Sequence, residues 1–172
     1  IAISLSQQQL CLFVDDTCTL QLSVSTALKG AGEQKDSEQT PRGAHYVRAK
    51  IGAGLPSGAV LSGRRFTGEI YDATLAQQYP DRDWILTRIL WLSGLELGKN
   101  RGGNVDSMQR YIYIHGCPED DAIGEPGSMA EGPQAFLVER PYPNPRVAPH
   151  FHDIDQFQVI VAGDGRMEIG RA

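Results

Sequence analysis

A nearly continuous apolar run, Trp84–Leu92, constrains the fold of this 172-residue chain more than any other segment. It follows the polar stretch 80–83, and its length and β-branched residues favour a buried strand over a helix. Periodicity alone does not separate the two, because a fully buried strand and a buried helix segment are both apolar throughout. We predict a buried strand here, in a chain whose 41% hydrophobic content supports a real core.

Shorter apolar segments separated by turn residues predict a mainly β fold for the rest of residues 1–115. The chain contains 19 glycines and 10 prolines, so turns are frequent and long helices few. The predicted strands are 1–5, 10–14, 19–25, 45–51, 59–61 and 111–115. Gly63–Arg65 and Thr67–Glu69 are predicted to be further turns.

A hairpin is predicted around the two-residue turn Asp15–Asp16. Such a turn would place Cys11 opposite Leu20 and Cys18 opposite Phe13. The two cysteines would then be diagonal neighbours, which is a poor geometry for a disulfide. We therefore interpret both as small hydrophobic residues on strand faces.

The net charge argues against nucleic-acid binding, and the hydropathy argues against a membrane-spanning segment. The net charge of -5 provides no electrostatic footprint for nucleic acid. No apolar run approaches the roughly 18 residues that a membrane-spanning helix needs, so we expect no transmembrane segment. The chain begins at Ile1 without a methionine, so a signal peptide that had been removed would leave no trace, and we expect none within this sequence.

Several motifs, in this order and spacing, resemble the L,D-transpeptidase catalytic domain of the YkuD or ErfK type. The motifs are Val24–Ala27, Thr40–Gly43, Lys50–Gly52, Gly63–Arg65, Gly68–Glu69, Thr87–Leu90, Gly102–Asp106 and Arg110–Gly116. The resemblance covers residues 1–129 and implies a mixed β-sandwich or barrel with a cleft roofed by loops. It also implies that peptidoglycan stem peptides are the partners, in the periplasm or cell envelope, and that this domain needs no cofactor.

The same resemblance assigns roles around the strand that ends at His115. Members of the family transfer acyl groups through a thioester on cysteine, which needs a base and oxyanion donors. The histidine that matches His115 is the base, and the backbone of the residue matching Gly116 orients its ring. The serine that matches Ser128 opens the turn carrying the nucleophile and the oxyanion donors.

The chain departs from the family at the nucleophile itself. Glu131 occupies the cysteine position, Ala130 replaces the glycine before it, and Pro133 replaces the following basic residue. Glutamate cannot form the thioester, although its carboxylate could pair with His115 and raise the pKa of the imidazole. Cys117 is a weak substitute nucleophile, and the alternative is that it is an ordinary loop cysteine.

Four other polar residues have both a structural and a functional interpretation. His45 lies in a predicted strand, where a structural role is the main interpretation and a place lining the substrate is the alternative. Arg64, Arg65 and Arg88 could contact the acidic groups of a peptide stem, or they could be solvated arginines.

The tail has a different character. We expect residues 130–149 to form a Pro-rich connector and 150–172 to form a partial cupin-like segment. The resemblance to the first half of a cupin motif covers residues 136–167. His150 and His152 would lie on one face of a strand, with the spacing of a metal site. A divalent metal here is one interpretation, which would make the chain a metal- or small-molecule-binding cupin-like module. An unmetallated strand is the other.

A predicted strand in this tail, Phe157–Val161, bears on whether the first domain is complete. By resemblance, the L,D-transpeptidase-like domain is truncated and lacks its final strands. The tail strand could replace them, or it could pair with another copy of the chain in a homo-oligomer. With Glu131 at the nucleophile position, the predicted function is that of an inactive family member or a binder of peptidoglycan stems.

Overall fold

Ten strands dominate a computed structural model that describes residues 1–118 and the backbone of two later strands. The strands are β1 Ala2–Ser4, β2 Gln9–Val14, β3 Thr17–Ser23, β4 Gly43–Ile51, β5 Ala59–Ser62, β6 Arg65–Ile70, β7 Ile85–Gly94, β8 Tyr113–Gly116, β9 Ala135–Phe136 and β10 Gln158–Ala162. Helical structure in the described residues consists of helix α1, Ala73–Gln78, and a 3-10 turn, Gly103–Val105. The predicted mainly β fold is confirmed.

The apolar run that begins at Trp84 forms the central strand of the sheet. The strand order is β3-β2-β1-β10-β4-β7-β5-β6, with β8 also paired to β7 and β9 paired to β8. Strand β7 therefore bonds to β4, β5 and β8. Its two faces pack into different clusters, since Leu92 lies in one with Ile114 and Ile89 lies in the other with Tyr113. The predicted buried strand is confirmed.

A bulge in β4 decides which residues face each cluster. Val47 and Ile51 are four positions apart and would share a face of a regular strand. The register with β7 shifts between Val47 and Ala49, so that Arg48 is an extra residue. Val47 consequently packs with the Leu92 cluster, and Ile51 packs with the Ile89 cluster.

The tail strand β10 lies inside this sheet. It pairs in parallel with β1 and antiparallel with β4, so that Ile160 lies opposite both Ala2 and Ala44. The prediction that the tail contributes a strand is confirmed, with bounds one residue later than Phe157–Val161. Strands β1 and β4 are neighbours only through β10. The domain boundaries at 129 and 149 fall outside the described residues and stay predictions.

Two elements differ from the sequence-based expectation. Thr67–Glu69 is not a turn but part of β6, which follows the two-residue turn Gly63–Arg64. The pattern concealed β6 because most of its residues are exposed and do not alternate. Helix α1 was also missed, because its six residues include no buried one. Its start is stabilised by Asp72, whose carboxylate accepts a hydrogen bond of 2.7 Å from the Leu75 amide.

In the first hairpin the turn is the predicted one, but the pairing of residues between β2 and β3 differs from the prediction. Asp15 and Asp16 have φ values of 45° and 63°, as a two-residue turn with left-handed conformations requires. Cys18 lies opposite Phe13 as predicted, whereas Cys11 lies opposite Gln21 instead of Leu20. The difference arises because the register shifts between Leu12 and Phe13, which makes one residue of β3 unpaired.

Candidate active site

His115 is buried in the sheet, with its ring held by the next residue. Its exposed fraction is 1%, and it pairs directly with Ile89 of β7. The Nδ1 atom lies 2.8 Å from the carbonyl oxygen of Gly116. A carbonyl can only accept, so Nδ1 carries the proton and Nε2 is the basic nitrogen of the neutral ring. This is the tautomer that a general base acting through Nε2 requires.

A strained bulge in β7 lies beside this histidine. Leu86 pairs with Gly116 and Ile89 pairs with His115, so Thr87 and Arg88 are extra residues at this step. Thr87 has φ 63°, a left-handed conformation that costs a β-branched residue about 1–2 kcal/mol. Such strain persists only where surrounding contacts impose it, and it is concentrated at functional sites.

Hydrogen bonds from neighbouring loops hold the bulge in place. The Thr87 hydroxyl accepts a bond of 3.0 Å from the Gly58 amide. The Arg88 guanidinium donates to the carbonyl oxygens of Thr87 and Leu55 at 2.7 and 3.0 Å. Arg88 is therefore engaged by the backbone, and the structure favours a positioning role for it over contact with a ligand.

The β5–β6 hairpin is paired with β7 in the sheet and contributes side chains to the face that carries His115. Leu61 of β5 packs in one cluster with Ile89 and Tyr113. At the turn, Gly63 and Arg64 have φ values of 53° and 67°. This turn directs the Arg64 side chain back over the sheet, towards Tyr113, which precedes His115 by two residues on the same face.

Arg64 is surrounded there by three aromatic rings. Its guanidinium lies 4.5 Å from the ring centroid of Trp91 and 5.1 Å from that of Tyr111, and donates a 3.0 Å bond to the Tyr113 hydroxyl. Arg48, the bulge residue of β4, lies 5.3 Å from the same Trp91 ring. We call Arg48, Arg64, Trp91, Tyr111 and Tyr113 the cation-aromatic cluster. The hydrogen bond to Tyr113 raises the pKa of Arg64, which keeps the guanidinium charged.

His45 is a structural histidine on the opposite face of the sheet. It is fully buried, Nδ1 lies 2.9 Å from the Gly43 carbonyl oxygen, and Nε2 lies 2.7 Å from the Ser107 hydroxyl. The carbonyl requires a proton on Nδ1, so Nε2 accepts from the hydroxyl. Burial lowers the pKa of His45 to about 4 and keeps the ring neutral at ordinary pH. The geometry supports the structural interpretation and not a substrate-lining role.

Arg110 anchors the chain just before β8. Its buried guanidinium donates to the carbonyl oxygens of Gly32, Glu33 and Gln39 at 3.2, 2.8 and 2.7 Å. A further bond reaches the hydroxyl of Ser37 at 3.3 Å. Burial lowers the pKa of Arg110, but the ring of acceptors stabilises its charge. The loop 32–39 is thereby attached to the segment that delivers His115.

The family model of the L,D-transpeptidase catalytic domain (YkuD) matches residues 1–132. This chain belongs to the L,D-transpeptidase catalytic-domain family. The predicted family is confirmed, and the β-rich sheet is consistent with it. L,D-transpeptidases of this family act on peptidoglycan and are typically associated with the cell envelope. No curated protein and no solved structure matches the chain.

Several predicted residues of the L,D-transpeptidase frame and of the cupin-like metal site fall outside the described part of the chain. They are Ser128, Glu131, His150 and His152. Their roles stay predictions, as do those of His115, Gly116 and Cys117. Cys117 is described, is half-buried, and directly follows β8.

The described residues contain neither a metal-binding cluster nor a membrane-spanning helix. In residues 1–118, no group of three or more His, Cys, Asp and Glu side chains could hold a metal ion. No helix in the part of the chain that the structure describes is long and apolar enough to cross a membrane.

Proposed function

We propose that this L,D-transpeptidase-family protein binds peptidoglycan stem peptides beside His115 and transfers acyl groups at a severely reduced rate or not at all. The proposal is carried by a base that is retained although the nucleophile is missing from the sequence. The base His115 is buried and held in its Nε2-basic tautomer, whereas the nucleophile position is Glu131 in the sequence.

The chemistry explains why a retained base does not imply a retained reaction. In cysteine-dependent acyl transfer, the base removes a proton from the thiol, and the thiolate attacks the peptide carbonyl. A carboxylate at position 131 cannot form the thioester that the acceptor amine later resolves. Its negative charge would also destabilise the developing oxyanion by like-charge repulsion, so transition-state stabilisation would be lost as well.

Binding and turnover must therefore be measured on the same protein. The probes are a synthetic stem tetrapeptide as donor and a stem peptide with a free amine as acceptor. We expect saturable binding of the tetrapeptide by isothermal calorimetry, and no cross-linked product by mass spectrometry. Product that disappears in His115→Gln would show that transfer persists and would refute the proposed loss of activity. Absence of any tetrapeptide binding would refute the proposed cleft.

The sequence pattern His150-Phe151-His152 supports a second proposal from a different class, a metal-binding module. Imidazoles at positions i and i+2 of a strand share a face and suit a divalent transition metal. Metal analysis of the purified chain tests this directly. Stoichiometric metal that is lost in His150→Ala would support it, and metal-free protein after equilibration with zinc would exclude it.

A further inference from the structure

We infer that the cation-aromatic cluster is a subsite for a carboxylate of the bound peptide, located about two strand positions from His115. The inference rests on the proposed function, because the ligand is the stem peptide whose reacting region faces His115. It adds the position and chemistry of one specificity contact, with Arg64 and Tyr113 as its donors.

Charge balance is the first reason. Two guanidinium groups, those of Arg48 and Arg64, lie over one indole ring in a chain of net charge -5. The ion pairs found among the described residues are Lys29–Glu38, Arg42–Glu33, Arg82–Glu69 and Lys99–Glu96. None of these pairs includes Arg48 or Arg64. Two neighbouring cations without a carboxylate in the described structure favour binding of an external anion.

The direction in which Arg64 and Tyr113 donate hydrogen bonds is the second reason. Arg64 donates to the Tyr113 oxygen, so the hydroxyl hydrogen of Tyr113 is directed to another acceptor. The remaining N–H groups of Arg64 lie beside it in a planar fork, which matches a carboxylate. Tyr113 is only 9% exposed, so this hydrogen bond is formed in a partly desolvated environment. A carboxylate at this point would accept from both residues.

Preorganisation is the third reason. The rings of Trp91 and Tyr111 restrict the guanidinium from two directions. Both Arg64 and Tyr111 adopt left-handed backbone conformations, with φ 67° and 57°. These conformations are unfavourable for large side chains, and they aim both residues at the same point. A guanidinium held in this way loses little entropy when it binds an anion.

The spacing along β8 defines which carboxylate fits. Tyr113 and His115 are two residues apart on one face, which corresponds to about 7 Å. An extended peptide that lies over this face of the sheet, parallel to β8, has the same repeat. The subsite therefore suits a non-terminal carboxylate two positions from the residue whose carbonyl faces His115.

The neighbouring arginines provide a contrast. Arg65 is exposed at the start of β6, one residue from Arg64. Arg88 already donates to two backbone carbonyl oxygens. The structure thus distinguishes Arg64 from the two other arginines that sequence alone treats as equivalent, and Arg65 becomes a matched control.

The test measures binding of two tetrapeptide stems by isothermal calorimetry. One stem has free non-terminal carboxylates, and in the other these carboxylates are amidated. We expect the wild-type protein to bind the free form roughly 10-fold more tightly, since a charge-assisted contact is lost in the amide. In Arg64→Met the difference should disappear, whereas in Arg65→Met it should persist.

Two further variants separate a binding role from a folding role. Arg64→Lys keeps the charge without the planar fork and should recover part of the preference. Tyr113→Phe removes one donor and should reduce the preference without abolishing it. Equal thermal melts of these variants and the wild type would show that the fold is intact.

The outcomes distinguish a failure of the carboxylate subsite from a failure of the proposed function. If the wild-type protein binds both stems equally, or if Arg64→Met keeps the preference, the subsite is refuted and the proposed cleft stands. If the wild-type protein binds neither stem, the proposed function fails and the subsite fails with it.

Discussion

Replacement of His45 by glutamine should flatten the acid dependence of stability. The His45 ring titrates near pH 6.5 when exposed, but burial lowers its pKa to about 4 in the folded protein. Above pH 6.5 the ring is neutral in both states. As pH falls from 6.5 to 4, the unfolded chain gains a proton that the folded protein cannot accept, so stability is lost in this window.

The size of the effect follows from the two pKa values. Each unit of difference corresponds to 1.36 kcal/mol, so His45 accounts for about 3 kcal/mol of stability that is present above pH 6.5 and lost near pH 4. Urea unfolding of the wild type and of His45→Gln at pH 7.5, 5.5 and 4 would measure it. The free-energy difference between the two proteins should shrink by about 3 kcal/mol over this range.

Parallel pH profiles for the two proteins would contradict the lowered pKa, because they would mean that His45 titrates normally in the folded state. Ser107→Ala provides a control. It removes the donor to Nε2 but leaves the histidine buried, so the variant should be less stable and still show most of the acid dependence. Because His45 faces away from His115, neither variant should change stem binding.

Three other predictions concern the sheet, the bulge and the nucleophile. Ile160→Pro should destabilise the protein by about 3 kcal/mol or more, since proline cannot complete a central ladder; an unchanged urea midpoint would place β10 outside the sheet. Thr87→Val should cost about 1–3 kcal/mol in urea unfolding, because the Gly58 amide loses its acceptor while the φ strain remains. Glu131→Cys alone should not restore acyl transfer, because Ala130 and Pro133 also depart from the family pattern. Cross-linked product from that single variant would show that the rest of the frame is intact.

The strands with apolar alternation or a continuous apolar run were predictable from the sequence. Burial creates those patterns, and Ile85–Gly94 and Tyr113–Gly116 lie where their patterns predict strands. Strand β6 and helix α1 were not predictable in this way. Their residues are mostly exposed, so no buried face imposes a periodic pattern of apolar residues on the sequence.

The site was predictable to the level of its histidine and no further. The resemblance to the L,D-transpeptidase family implies that His115, at the end of its strand, is the base, and this role stays a prediction. The bulge at Thr87 and Arg88, however, depends on pairing between β7 and β8, which are distant in sequence. The cation-aromatic cluster likewise joins residues from three strands and two turns, and Arg64 is the one member that the sequence indicates as a ligand contact.

Covalent labelling by a carbapenem detects a working nucleophile, because a strained β-lactam acylates an activated thiolate and the product can be weighed intact. The protein should be incubated with the drug beside a Cys117→Ser variant, followed by intact mass and peptide mapping. The proposed loss of activity predicts no stable adduct on either protein, together with retained binding of the stem tetrapeptide. An adduct that maps to Cys117 and is absent from Cys117→Ser would contradict it, and would show that this thiol has taken over the role of the missing cysteine.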